Sequence, residues 1–193
     1  MTDQQTHDDA PLATSKRSEE QRTAGRMLGG DGGDTVVAAA VTINRPVAEL
    51  YRYWRDFTNL DSFMDNIVSI TPLGGDRTHW VVRAPAGRTV EWDARIIEDR
   101  ENELIAWEAE DGADVPNAGR VEFRDAGARG TVVTAQIAYD PPAGLVGRII
   151  AKMFQREPAI QARRDLRRFK QLMETGEIAT ASRTRAALEE EWA

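Results

Sequence analysis

The feature that most constrains this chain is a helical hydrophobic period in its last third. From Ala143 to about Thr175, Val146, Ile149, Ile150, Met153 and Phe154, then Leu166, Phe169, Leu172 and Met173, recur at three- and four-residue intervals, which places them on one face of an α-helix. A stripe that long cannot be covered by a short partner helix. It calls for a broad sheet beneath it. Pro158 falls inside the stretch, where its missing backbone donor and ring clash kink the helix or divide it.

The preceding residues supply the sheet. Val36 to Ile43 is β-branched and alanine-rich and reads as a first strand, stopped by Asn44-Arg45-Pro46. Val47, Leu50, Tyr51 and Trp54 then form a short helical stripe ending near Phe57, and Leu60, Phe63 and Met64 suggest a second helical turn over Asn59 to Met64. Six strand signals follow, at Ile67 to Leu73, Thr78 to Ala84, Arg88 to Ile97, Glu103 to Glu110, Gly119 to Asp125 and Gly130 to Tyr139. Turn-rich separators such as Gly74-Gly75-Asp76 and Pro85-Ala86-Gly87 join them, so the predicted fold class is α+β with an antiparallel seven-stranded sheet.

Composition sets the outer bounds. With 193 residues, 41% of them hydrophobic, the chain accommodates one domain, predicted over residues 35–176, with tails at 1–34 and 177–193. The first tail holds few bulky apolar side chains and reads as disordered, its GGDGGD run lacking the lysine and hydroxyl residue of a phosphate loop and the acidic ladder of a calcium loop. A net charge of −7 argues against a nucleic-acid partner. No segment has the length and apolarity of a membrane span or of a signal-peptide core, so the expectation is a cytoplasmic protein. Cysteine is absent, the two histidines are His7 and His79, and no zinc, nucleophile-elbow or cofactor motif is present; no metal and no cofactor are expected.

Three segments carry a family resemblance. VTINRPVAELYRYWRDFTNLDSFMDNIVSI (Val41 to Ile70), TVEWDARIIEDRENELIAWEAEDGADVPNAGRVEF and EPAIQARRDLRRFKQLMETGEI resemble the START-like, helix-grip (SRPBCC) superfamily, in particular its polyketide cyclase/dehydrase and coenzyme Q-binding groups. The likeness spans roughly Thr35 to Ile178. It implies a curved sheet gripping one long C-terminal helix, with two short helices after the first strand. It leaves function open, because one fold hosts lipid carriers, quinone binders and ring-forming aromatases alike.

Strand alternation selects the residues that face the helix. Trp80 and Val82, Val90 and Trp92, Trp107, Phe123, Ile137 and Tyr139 fall on the inward parity, and with Ile150 and Met153 from the helix they are the candidate ligand-binding set. Such residues are either plain core or the wall of an apolar pocket. The resemblance favours the pocket. The acids and the base suited to proton transfer, His79, Glu91, Asp93, Glu108 and Glu122, take the outward parity, which weighs against an enzyme. Arg88 and Tyr139 are the two inward groups with catalytic potential, Arg88 as an enolate stabiliser and Tyr139 as a proton donor. The leading expectation is therefore a binding protein, for transport or sequestration of a lipid, an isoprenoid quinone or a polyketide-like aromatic. Aromatase/cyclase or dehydratase chemistry is one alternative and a ligand-free interaction module another. The basic run Arg163, Arg164, Arg167, Arg168 and Lys170 reads as a solvated helix face, with transient contact to anionic lipid as its other use.

Overall fold

The β-branched and aromatic runs between turn residues become seven strands: β1 (Thr35–Ile43), β2 (Ile67–Gly74), β3 (Arg77–Ala84), β4 (Arg88–Arg100), β5 (Leu104–Ala109), β6 (Asn117–Asp125) and β7 (Thr131–Tyr139). The structure, a computed structural model, describes residues 35–84, 87–139 and 158–179. The strands form one antiparallel sheet in the order β1-β7-β6-β5-β4-β3-β2, a meander from β2 to β7 onto whose last strand β1 pairs. Between β1 and β2 lie a short helix, α1 (Val47–Arg55), and a 3-10 turn (Phe57–Ser62); after β7 comes α2 (Pro158–Thr175). This is the expected helix-grip architecture, a curved seven-stranded antiparallel sheet with a C-terminal helix against it.

Apart from β4, the strand and turn boundaries among the described residues fall within two residues of expectation. Pro158 occupies the first position of α2, where its missing N–H has no intrahelical partner to lose, so in the described residues it starts the helix. Val146, Ile149, Ile150, Met153 and Phe154 lie outside the described residues, as does the stretch 1–34. β4 also runs on to Arg100, because Asp99 and Arg100 pair with Ile105 and Leu104 although their charge conceals the strand from a propensity reading. A bulge between Ile96 and Glu98 accompanies this extension.

Polar pins fix the helices to the sheet. The Asn44 N–H donates to the Glu174 carboxylate at 2.7 Å, Arg45 donates to the Glu174 carbonyl at 2.7 Å, and Lys170 donates to the Thr42 carbonyl at 2.7 Å. These bonds hold the end of α2 on β1. Gly176, at φ +79°, closes the helix with an N–H bond to the Leu172 carbonyl of 2.8 Å, a conformation that glycine adopts without strain. On α1, the Tyr51 hydroxyl and the Arg55 guanidinium both reach the Asp99 carboxylate, and Arg55 also reaches Asp76 at 2.6 Å. Burial, then the bond and charge of Asp99, push the Tyr51 phenol up to about 12.

Between helices and sheet, Trp54, Phe63 and Phe169 pack ring on ring with centroids 4.8 to 5.4 Å apart, all at most 1% exposed. This cluster fills one part of the interior solidly. The space beside it is not filled in the same way.

Candidate ligand cavity

A cavity of about 250 Å³ lies between the inner face of the sheet and α2. Its walls follow from strand alternation. Trp80 and Trp92 are direct cross-strand partners on β3 and β4, and their indoles stack with centroids 6.0 Å apart and planes 14° from parallel. Trp107 enters from β5 and packs on Gly119, its β6 partner, so closely that a Cβ on that glycine would sit 2.2 Å from the indole. Trp54 reaches the same cavity from α1. All four tryptophans among the described residues therefore line one space, with Val82, Val90 and Ile137 between them.

One wall comes from a loop rather than a strand. The Asp114 carboxylate accepts the Glu91 N–H at 2.9 Å and its own N–H donates to the Glu91 carbonyl at 3.2 Å, which seats the loop between β5 and β6 on a part of β4 that β5 does not reach. Val115 is thereby buried in the cavity wall, its carbonyl accepting from the Asn117 amide at 2.8 Å.

The polar groups in the wall are Asn66, Asn117, Tyr139, Gln161 and Asp165. Asn117 and Tyr139 are register partners on β6 and β7, both almost fully buried. Asp165, from α2, is 7% exposed and accepts a hydrogen bond from the Gln161 amide at 2.8 Å. Burial is the main cause that pushes its carboxyl up to about 7; Asp65 adds to the rise, while the Gln161 bond and the charges of Arg168 and Arg164 oppose it. The indole N–H groups of Trp54 and Trp92 and the Asn66 side-chain oxygen are buried without a hydrogen-bond partner. Unpaired polar atoms are uncommon in interiors, and three residues of one cavity wall carry them.

The sequence matches a family model, polyketide cyclase/dehydrase and lipid transport, over residues 34–174. The chain belongs to this family. No curated protein matches it. Among solved structures, a Deinococcus radiodurans protein is 40% identical, with 74% of this chain and 99% of that one covered at a TM-score of 0.62. A Thermus thermophilus protein is 23% identical over 71% and 95%, TM-score 0.59. The Zhui aromatase/cyclase of a Streptomyces species is 14% identical over 76% and 100%, TM-score 0.57; that likeness is one of fold.

In this polyketide cyclase/dehydrase family member, the inward residues Trp80, Val82, Val90, Trp92, Trp107, Ile137 and Tyr139 line the cavity as parity places them. Phe123 does not. Its ring packs edge-on against Tyr51 at 5.9 Å and Trp54 at 6.4 Å, because α1 crosses the sheet above that end of β6. Arg88 is exposed at the start of β4 and is not part of the wall, since inward parity at a strand end brings no burial. Ile150 and Met153 lie outside the described residues. Of the basic run, Arg164 and Arg168 both pair with Asp65, and Lys170 lies 3.8 Å from Glu174, so these three have partners within the fold. Among the described residues no helix is long and apolar enough to cross a membrane, and no group of three or more His, Cys, Asp or Glu could hold a metal.

Asp165 is among the wall residues that the sequence reading missed, with Trp54, Asn66, Val115, Asn117 and Gln161. Its charge and its arginine neighbours suggest the solvated face, yet Ala162, Asp165, Leu166, Phe169 and Leu172 follow the spacing of a single helical stripe. An acid at a stripe position was the available signal.

Proposed function

We propose that this protein binds a hydrophobic small molecule in the cavity between sheet and α2, for transport or sequestration. The observation that carries this reading is the convergence of four indoles on a cavity of about 250 Å³, one of them, Trp54, also packed ring on ring with Phe63 and Phe169. Apolar, aromatic walls with a few polar groups are the usual make-up of small-molecule pockets. Flat indole faces favour planar or conjugated ligands, so an isoprenoid quinone or a polyketide-like aromatic suits the wall better than a saturated lipid. Native mass spectrometry and solvent extraction of the purified chain test the reading. A co-purifying or titratable hydrophobe is expected, lost in an Ala135→Phe variant that fills the cavity. If neither lipids, quinones nor polycyclic aromatics bind, the role passes to a ligand-free interaction module.

Aromatase/cyclase or dehydratase chemistry is the second reading. It loses Arg88, which stands outside the cavity, and gains Asp165, whose carboxyl titrates near neutrality as proton-transfer groups do. Turnover of model polyketide thioesters that vanishes in Tyr139→Phe would favour it over simple binding.

A further inference from the structure

Asp165 sits one turn before Phe169 on the apolar side of α2, is 7% exposed, and lines the cavity. Gln161, one turn earlier and in the same wall, donates to one of its carboxyl oxygens. Among the described residues no cation forms an ion pair with it. Arg164 and Arg168 of its own helix bind Asp65, which belongs to the segment entering β2. Tyr139 on β7 is the other titratable residue in the wall; the remaining polar ones are the amides Asn66, Asn117 and Gln161. Asp65 opposes ionisation of Asp165 and the two arginines favour it, but burial outweighs them.

A carboxyl held in such surroundings is less costly neutral than charged. The neutral form also gains a capacity the anion lacks: an O–H donor. With one oxygen engaged by Gln161, the other is left to meet whatever enters the cavity.

Resting on the reading of a hydrophobe-binding cavity, we propose that neutral Asp165 is its polar anchor, donating a hydrogen bond to an acceptor oxygen of an uncharged ligand, a ketone, quinone or ester, so that ligand capture is linked to proton uptake. The ligand is then held while the carboxyl is protonated and is weakened as it ionises. A cationic amine would show the opposite dependence, since it needs the carboxylate.

The test is calorimetric titration of the full chain with 2-acetylnaphthalene, a neutral aromatic ketone, and with 2-naphthylmethylamine, its cationic counterpart, between about pH 5.5 and about pH 8.5. The ketone is expected to bind about ten- to thirtyfold more weakly at the upper end. Asp165→Asn, which keeps a donor but cannot titrate, should flatten that profile to within about twofold. Gln161→Leu removes a bond that favours the charged form, and should move the midpoint of the profile to higher pH. The Gln161 variant keeps the proposal testable if substitutions at Asp165 fail to fold. A flat profile for the unmodified chain, a profile unchanged in Asp165→Asn, or ketone binding that strengthens with pH would each overturn the anchor while leaving the cavity as a binding site. Absence of saturable binding by either probe, in the unmodified chain and in Ala135→Phe alike, would overturn the binding reading itself, and the anchor with it.

Discussion

Trp80 and Trp92 face each other across β3 and β4 on the inner side of the sheet; one position away, His79 and Asp93 do the same on the outer side. The inner pair stacks in a cavity wall. The outer pair bonds at 2.8 Å within a ladder in which Arg77 holds Glu110 and Arg95 holds Glu108, each at 2.5 Å. Both faces belong to the same strands, so what separates them is the two-residue period alone. A slip of one residue would bring the charges inside and expose both indoles, and the ladder and the stack together oppose it. The inner face acts through burial, which solvent does not screen. The outer face acts through charge in water, where ion pairs contribute little.

Substitutions on the inner side should therefore dominate. Trp54→Ala removes an indole that is 1% exposed and in ring contact with Phe63, Phe123 and Phe169. It should cost about 3–5 kcal/mol in urea unfolding.

Asp165→Asn sharpens the comparison, because here an ionisable side chain stands on the inner side. The unfolded carboxyl titrates near 4. In the fold it titrates at about 7, so between these values the native state holds a proton the unfolded chain has lost. Stability should fall as pH rises through that window and level off above it. The asparagine variant should abolish the fall and exceed the unmodified protein by on the order of 2–4 kcal/mol at pH 8, with no such gain below pH 4. Thermal melts across the pH range check this.

Gly119→Ala comes next. Its Cβ would require the Trp107 indole to move, and the space open to the ring is the cavity. A loss of about 1–3 kcal/mol is expected, together with weaker binding of the naphthyl ketone. A variant that binds as the parent does would mean that Trp107 does not bound the ligand space. The smallest effect belongs to the outer face. Arg95→Ala should barely move the melting temperature, and less in high salt, because its guanidinium and the Glu108 carboxylate lie at the solvated surface.

Alternation in β3 and β4 was legible in the sequence because Trp80, Val90, Trp92 and Ala94 are interleaved with His79, Glu91, Asp93 and Arg95. It is less legible from β5 to β7, where Leu104, Ala106, Ala118, Val132 and Ala138 on the outward parity are buried as deeply as the inward residues, so parity no longer separates two environments. Phe123 shows the same limit from the inside. Inward parity brought it under α1 rather than into the cavity, since parity names a face and not what stands above it.

The sequence by itself determined the elements, the antiparallel meander from β2 to β7, and which side of β3 and β4 turns inward, since these depend on local periods and on turn residues that act within a few positions of themselves. Tertiary structure alone decided where the interior is filled and where it is open. That depends on Trp54 meeting Phe63 and Phe169, on Gly119 giving way to Trp107, and on the β5–β6 loop folding back to β4, all contacts between separate elements that no local period encodes. The state of Asp165 was settled there too. A carboxyl's pKa is set by the solvent it loses and the charges around it, and only the packing of α2 against the sheet takes that solvent away.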